Sequence, residues 1–269
     1  MDKSEISSRY AFALELIREA GDLALGYFRR RQTLTIKSKG VQDMASEADV
    51  NTELLIKRRL AAAYPQDGFL GEETGNTALA PGQGLWVVDP IDGTQPFISG
   101  LSSWCVSIAF VLDNQLKFGM VYAPARDELF AGGEGFPATL NGAPIEGRSV
   151  AALTDGITGV GYARRTPTEQ YLSILRRFLD AGGMFYRDGS GALGLCYAAC
   201  GRLIGFIEAH LNSWDCLGAL AVVQAAGLKT NDFFVNDGLH VGNPLIVGND
   251  EIYAALEKIY GAPLPKRAH

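Results

Sequence analysis

The sequence predicts an α+β protein made of two halves that pack together: a mainly antiparallel α+β half, residues 1–145, and an α/β half, residues 146–269. The first half opens with a long amphipathic helix over about residues 5–31, where apolar side chains recur at helical spacing. Two apolar runs, WCVSIAFVL and QLKFGMVYAP, meet at Asp113-Asn114 and predict a β-hairpin. After about residue 145 helices and strands alternate, which is typical of α/β folds.

Turn and capping signals give the other elements of the first half. KSKGVQD, residues 37–43, predicts a loop. Ser46 then begins a second helix, which stops at Pro65. GFLG and LWVVD are short apolar runs that suit buried strands, and DPIDGT ends the second of them.

The second half begins with a predicted helix over about residues 167–181 and a strand over about 184–187. A helix of small residues follows Gly189, and LIGFIEA predicts another strand. Ser213 is the predicted N-cap of a further helix that runs to Ala226.

Composition and charge exclude several classes of protein. Apolar residues make up 47% of the chain and charged residues 20%, which is ordinary for a globular protein in water. No apolar window approaches the roughly 18 residues of a membrane span. The first residues, MDKSEISSRY, lack the order of a signal peptide, so we expect a cytoplasmic protein. A formal net charge of −6 disfavours broad nucleic-acid binding, but metal ions could still supply the positive charge for a phosphorylated substrate.

Cysteines and histidines do not predict a metal site. The chain has four cysteines and three histidines; no two cysteines have Cys-x-x-Cys spacing, and the histidines are scattered. We therefore expect buried core thiols. Any metal site should use the oxygen ligands that Mg²⁺ prefers.

The segment DPIDGT carries the strongest chemical signal. Asp89 ends an apolar strand, and Pro90 stops the hydrogen-bond ladder there. Gly93 permits a tight turn, so the carboxylates of Asp89 and Asp92 and the carbonyl of Ile91 can converge as Mg²⁺ ligands. Taken alone, these are also ordinary turn residues.

Two further acidic segments lie at chain reversals. Glu72-Glu73 stands in GEET, and Trp214-Asp215 stands at a helix start. Taken alone, the first also suits a solvated loop. The second also suits an acid that complements a helix dipole.

In this order and at these separations, GEE, DPIDGT and WD resemble the inositol monophosphatase family, and the resemblance runs from about residue 38 to residue 250. It implies a layered αβαβα sandwich of the inositol monophosphatase and fructose-1,6-bisphosphatase type. It also implies Mg²⁺-dependent hydrolysis of a small phosphomonoester by metal-activated water. Two or three Mg²⁺ per site are expected, with Mn²⁺ possible, and a homodimer is the family's habit.

The resemblance also assigns roles to single residues. The implied metal ligands are Glu72, Asp89, the Ile91 carbonyl, Asp92 and Asp215. Asp49 and Thr94, with Glu72, resemble the residues that orient and activate the water. The implied substrate-binding residues are Asp92, the amides of Gly93 and Thr94, the amide of Gly191, and Glu208.

One departure bears on substrate choice. Many family members continue GTTNF, whereas this chain has Gln95-Pro96 after Thr94, and Pro96 has no N–H to donate. The segment FISG, which begins at Phe97, is similar to members that act on histidinol phosphate. Histidinol phosphate, or another sugar or nucleotide phosphate, is therefore an alternative to an inositol phosphate.

Two alternatives belong to other classes. Some bacterial members that resemble this chain also act in transcription complexes with RNA and RNA polymerase, which the net charge of −6 disfavours. The other is a structural metal-binding protein without catalysis. Thr94 and Asp49 disfavour it, because a structural site has no use for a water activator.

Overall fold

The chain alternates helices and strands, and a computed structural model describes residues 1–34, 36–40, 43–76 and 82–266. The helices are α1 (Lys3–Arg29), α2 (Glu47–Ala63), α3 (Thr94–Ser99), α4 (Thr168–Asp180), α5 (Gly191–Ala199), α6 (Ser213–Ala225), α7 (Gly238–Val241) and α8 (Asp250–Tyr260). The strands are β1 (Ile36–Gly40), β2 (Asp43–Ser46), β3 (Gly68–Gly71), β4 (Gly75–Asn76), β5 (Gly84–Asp92), β6 (Cys105–Leu112), β7 (Gln115–Ala123), β8 (Glu128–Gly133), β9 (Phe136–Leu140), β10 (Ala143–Pro144), β11 (Ile157–Val160), β12 (Met184–Tyr186), β13 (Gly205–Leu211), β14 (Lys229–Thr230) and β15 (Asn243–Gly248). Among these described helices, none combines the length and the apolar character needed to cross a membrane.

Within the described residues the strands form one small hairpin and two larger sheets. The larger sheet has eight strands in the order β10-β9-β8-β7-β6-β5-β3-β4, and it is antiparallel except that β3 runs parallel to β5. The smaller sheet has the order β12-β11-β13-β15-β14. Its first three strands are parallel, and β15 is antiparallel to both of its neighbours.

The elements stack in five layers. Helices α1 and α2 cover one face of the large sheet, α5 and α6 lie between the two sheets, and α4 and α8 cover the outer face of the small sheet. This helix–sheet–helix–sheet–helix order confirms the predicted αβαβα sandwich. In the middle layer, α5 is buried from Ala192 to Ala199. A helix enclosed on every side must be apolar all round, which explains the run of small and apolar residues after Gly191.

Helix α1 contacts a buried aromatic cluster of the large sheet through Arg9. Trp86 and Phe110 lie with ring centroids 4.8 Å apart and are fully buried. Arg9 of α1 reaches over this cluster and forms an ion pair with Asp67 at 2.8 Å. Asp67 also accepts the Trp86 indole N–H at 3.0 Å, so one carboxylate joins helix, turn and sheet.

The predicted hairpin between β6 and β7 is confirmed. Asp113 and Asn114 have φ values of 50° and 58° at its turn. A type I′ turn matches the twist of the two strands and needs positive φ at both of its central residues. Asp and Asn tolerate this conformation. The predicted buried strand LWVVD is confirmed as β5, but β5 continues to Asp92. Pro90 is accommodated because the register against β6 shifts between Asp89 and Asp92.

The loop predicted over residues 37–43 is wrong where the structure describes it. β1 and β2 pair antiparallel, with Lys37 opposite Ala45, while residues 41–42 lie outside the described residues. Lys, Ser and Gly have low strand propensity, so backbone pairing rather than side-chain preference determines this hairpin.

The strands of the large sheet lie within residues 68–144 and those of the small sheet within residues 157–248. Helix α6 nevertheless packs on β6, β7 and β8 of the large sheet. The division into halves at residue 145 stays a prediction.

The closest approach of α6 to β7 generates a stability prediction. A Cβ added at Gly119 would lie 2.8 Å from the Gly218 Cα, and backbone atoms cannot rotate away. We expect Gly119→Ala to lower the free energy of unfolding by about 1–3 kcal/mol in urea titrations.

Gly26→Ala in α1 is the control for Gly119→Ala, because a Cβ there meets nothing within 4 Å. It should be neutral or raise the free energy of unfolding by up to about 1 kcal/mol. Wild-type stability of Gly119→Ala would contradict the tight packing of α6 on the large sheet.

Candidate active site

A pocket of about 190 Å³ opens where β5, the start of α5, β13 and the start of α6 meet. Its volume limits the occupant to a small molecule. Six carboxylate residues line it: Glu72, Asp89, Asp92, Asp188, Glu208 and Asp215. Ile91, Gly93, Thr94 and Gly191 line it as well, so the structure brings together every predicted site residue except Asp49 in one pocket wall.

The end of β5 places Asp89 and Asp92 in the pocket. The amide of Ile91 donates to Asp89 Oδ1 at 2.9 Å, in the last part of β5, where the register against β6 shifts. Gly93 has a φ of 93°, and a Cβ there would lie 2.7 Å from the carbonyl oxygen of Ser103. A glycine is therefore required both by the backbone conformation and by the close packing.

Asp92 is fixed by the start of α5. Its Oδ2 accepts the Ser190 hydroxyl at 2.5 Å and the Ala192 amide at 2.8 Å. Burial and the charge of Asp215 raise the pKa of Asp92 to about 7 despite these hydrogen bonds. Among the described residues, the hydrogen bonds that Asp92 accepts from Cys105, Ser190 and Ala192 all end on Oδ2, and the residue lines the pocket.

Thr94 and Asp49 meet at the start of α3. The Thr94 hydroxyl lies 3.3 Å from Asp49 Oδ1 and 3.2 Å from the carbonyl oxygen of Ile91, and its single proton can go to one of them at a time. Asp49 is fully buried behind Thr94. Its Oδ2 accepts the amide and hydroxyl of Ser46 at 2.8 and 2.7 Å, as the cap of α2. Burial raises the pKa of Asp49.

The second half supplies Asp215 and Glu208. Asp215 lies in the first turn of α6, where its Oδ2 accepts the Asn212 amide at 3.0 Å. The N-cap of this helix is Asn212, one residue before the Ser213 expected from the sequence. Glu208 comes from β13, is 6% exposed and lines the pocket together with Gly191.

The carboxylates repel one another in a buried space. Burial and the charges of Glu72, Asp92 and Asp215 raise the pKa of Asp89 well above its usual range. Burial, Asp215 and Asp92 do the same to the pKa of Glu208. Burial raises the pKa of Asp215 to about 6. Neighbouring cations would relieve this cost.

The donor set fits Mg²⁺ in chemistry and in charge, because it consists of carboxylate and carbonyl oxygens that carry excess negative charge. Among the described residues, however, no three carboxylate, imidazole or thiol side chains already converge as a ligand shell for one ion. The pocket therefore offers suitable oxygen donors but does not enclose an ion completely. Proteins usually bind Mg²⁺ in this way, with a few carboxylates and several waters as ligands.

The family model for the inositol monophosphatase family matches residues 5–262. The chain belongs to this family. The inositol-1-monophosphatase of Rhizobium meliloti is 32% identical over 257 residues, which cover 94% of this chain and 96% of the relative. The Nus factor SuhB of Haemophilus influenzae is 31% identical over 250 residues, covering 92% and 94%.

Solved structures of family members have the same fold. The extragenic suppressor protein SuhB of Bartonella henselae superposes with a TM-score of 0.88 at 29% identity, covering 96% of this chain and all of that one. The inositol monophosphatase of Anabaena sp. PCC 7120 gives a TM-score of 0.80 at 26% identity, covering 97% and 98%.

Three polar residues in the loop before α5 of this inositol monophosphatase fold were not predicted from the sequence. Arg187, Asp188 and Ser190 line the pocket from the loop before α5. Ser190 could have been recognised as a helix N-cap, since its hydroxyl accepts the Leu193 amide at 3.2 Å. Its bond to Asp92 could not, because 98 residues separate the two.

The raised pKa values predict how the stability of the protein depends on pH after EDTA has removed any bound metal. Asp92 has a pKa of about 7 in the folded protein against an ordinary value of 3.8, so between these values the folded state binds more protons than the unfolded state. Stability then falls as pH rises, and the melting temperature should decrease from pH 5 to pH 8.

Asp92→Asn should flatten this decrease, and Asp113→Asn, in an exposed turn, should leave it unchanged. Differential scanning fluorimetry over the pH range measures both. A wild-type melting temperature that rises from pH 5 to pH 8 would contradict the assignment of repelling buried carboxylates.

Proposed function

We propose that this chain is a Mg²⁺-dependent phosphatase that hydrolyses a small phosphomonoester of the inositol monophosphate type with water. Family membership supports a phosphatase, and the relative named inositol-1-monophosphatase supports the substrate class. One observation carries the proposal: the carboxylates of the three acidic segments GEET, DPIDGT and WD line a single small pocket, next to a threonine hydroxyl that contacts a buried aspartate.

Five groups would hold the metal ions. These are the carboxylates of Glu72, Asp89, Asp92 and Asp215 and the carbonyl of Ile91. When bound, Mg²⁺ neutralises the phosphate charge, makes water a stronger nucleophile and stabilises the leaving oxygen. The proposal includes two or three Mg²⁺ per site, with Mn²⁺ as a possible substitute.

Thr94 and Asp49 would orient the attacking water. When Thr94 donates its proton to Asp49 Oδ1, the hydroxyl oxygen keeps lone pairs that can accept a hydrogen bond from a water in the pocket. Asp49 fixes this orientation, because Ser46 holds the same carboxylate from the other side. The pair thereby aims a proton of the water away from the phosphorus, as in-line attack requires.

The remaining pocket residues would bind the substrate. The amides of Gly93 and Thr94 stand at the start of α3 and can donate to phosphate oxygens. On the other side, Glu208 and the amide of Gly191 face the space for the alcohol part, where Glu208 can accept a substrate hydroxyl. Asp92 borders both parts and would contact metal and substrate.

Pro96 is the feature that bears on substrate choice. It is buried, and a side chain at Gly189 would come within 2.8 Å of its Cγ. The Pro96 ring therefore supports the loop that carries Arg187 and Asp188 into the pocket. This contact supports the expectation that Gln95-Pro96 tunes the substrate, with histidinol phosphate or another sugar or nucleotide phosphate as the alternative.

Phosphate release tests the proposal. Purified protein should release phosphate from inositol 1-phosphate or histidinol phosphate only when Mg²⁺ is present, and the faster substrate identifies the class. Asp92→Asn should lower kcat/KM by about 10³-fold, because several kcal/mol of charge stabilisation depend on the bound metal.

Asp113→Asn is the matched control for the activity assay, since it removes an exposed carboxylate far from the pocket in the β6–β7 turn. Release that survives EDTA, or that Asp92→Asn leaves intact, would contradict metal-assisted hydrolysis at this pocket.

A second function has support from the relatives named Nus factor SuhB. We propose as the alternative that the chain binds RNA in a transcription complex, independently of hydrolysis. In that case Asp89→Asn should abolish phosphate release but retain an RNA mobility shift that weakens with rising salt. No shift at low salt would reject the alternative.

A cytoplasmic homodimer completes the proposal. The homodimer is implied by the resemblance to the family, and light scattering of the purified protein measures the oligomeric state.

A further inference from the structure

Glu72 depends on the geometry of a very short turn. It begins the connection between β3 and β4, whose last pairs are Leu70 with Asn76 and Gly71 with Gly75. The Glu72 amide donates to the carbonyl oxygen of Val88 at 3.3 Å, which ties the start of the turn to β5.

The next two amides of the turn donate to one buried carboxylate. The Glu73 amide lies 2.9 Å from Glu53 Oε2, and the Thr74 amide lies 2.7 Å from Glu53 Oε1. Glu53 is a residue of α2 with no exposed surface. A buried carboxylate is costly unless hydrogen bonds compensate it, and bonds to an ionised acceptor are stronger than neutral ones.

The neighbourhood is shaped for this carboxylate. A Cβ at Gly71 would lie 2.5 Å from Glu53 Oε2, so the absence of a side chain at Gly71 makes room for it. One helical turn further along α2, Lys57 donates to the Thr74 hydroxyl at 3.0 Å. Two residues of α2 therefore hold the same turn from one side.

The position of Glu53 on α2 links two parts of the pocket. Asp49 and Glu53 are four residues apart and so share one face of the helix. Asp49 contacts Thr94, while Glu53 holds the turn that carries Glu72. A single rigid helix face thus sets the distance between the proposed water-orienting pair and a proposed metal ligand.

We infer that Glu53 is a positioning residue for the metal site: it contacts neither substrate nor metal, and it fixes the turn so that the Glu72 carboxylate points into the pocket. The inference rests on the proposed function only in taking Glu72 as a ligand. It assigns to α2 the role of a common support for the metal and the attacking water.

The test uses the full chain with Glu53→Ala, Glu53→Gln and the control Glu15→Ala, which removes an exposed carboxylate in α1. Amide hydrogen exchange at Glu73 and Thr74 is measured in the metal-free protein. Mg²⁺ binding is measured by calorimetry, and phosphate release is measured on the same samples.

Glu53→Ala should speed exchange at both amides at least tenfold and weaken Mg²⁺ binding by about 10–100-fold, the usual effect of losing a group that orients a metal ligand. Glu53→Gln retains one acceptor oxygen and should fall between wild type and Glu53→Ala. Glu15→Ala should match wild type in all three measurements.

Two outcomes for Glu53→Ala would overturn the inference. Unchanged exchange in Glu53→Ala would show that the two hydrogen bonds do not hold the turn. Faster exchange with unchanged Mg²⁺ affinity would show that the turn does not position a ligand. If wild type binds Mg²⁺ but releases no phosphate from any substrate, the proposed function fails while exchange and binding still decide the role of Glu53; no Mg²⁺ binding by wild type overturns both.

Gly71→Ala provides an independent route if Glu53→Ala does not fold. It leaves the carboxylate in the chain but occupies its space, so it should speed exchange at the same amides and weaken Mg²⁺ binding. If Gly71→Ala folds, exchanges these amides faster and still binds Mg²⁺ with wild-type affinity, the inference is overturned in the same way.

Discussion

The contact between Asp92 and the start of α5 is the interaction on which the site depends. Asp92 ends a strand of the large sheet, and its carboxylate accepts a hydroxyl and an amide from the helix between the sheets. Such a helix start supplies unpaired N–H groups and the positive end of a dipole, so it can hold a buried carboxylate that the apolar interior would otherwise reject. The same contact joins the strand end to the helix start in a pocket wall that Asp215 and Glu208 also line.

Bringing these carboxylates together also creates electrostatic repulsion between them. The layered apolar core stabilises the fold, and the carboxylates gather in one buried pocket, where Asp89, Asp92 and Glu208 are each repelled by neighbouring carboxylates. Local cost of this kind at a functional site, offset by packing elsewhere, is a general property of enzymes. Because the carboxylates repel one another, the affinity for a cation depends on the whole cluster rather than on any single ligand.

The site residues that could be predicted from the sequence are those whose partners lie close to them along the chain. Asp89 and Asp92 were recognisable because strand end, proline, turn glycine and ligand chemistry fall within a few residues. The layered fold and the role of Asp49 came with the family resemblance, since a buried aspartate in a helix cap looks ordinary by itself. Glu53 and Ser190 could not be predicted. Their partners lie 20 and 98 residues away, and only the packed layers bring them together. The hairpin over β1 and β2 was missed for a related reason, because backbone pairing outweighed weak local propensities.

The enclosure of α5 on every side limits how this architecture can be rearranged. A helix with one polar face can be lifted from its domain and remain soluble, but α5 has no such face, and α6 is buried along most of its length. Cutting the chain between the two sheets would leave one sheet uncovered. The two apolar helices α5 and α6 would then be exposed on the other sheet. The two sheets are therefore not interchangeable modules. Recombination that swaps one of them must bring a matching middle layer with it, and diversity in such a fold should accumulate in the loops around the pocket rather than by exchange of halves.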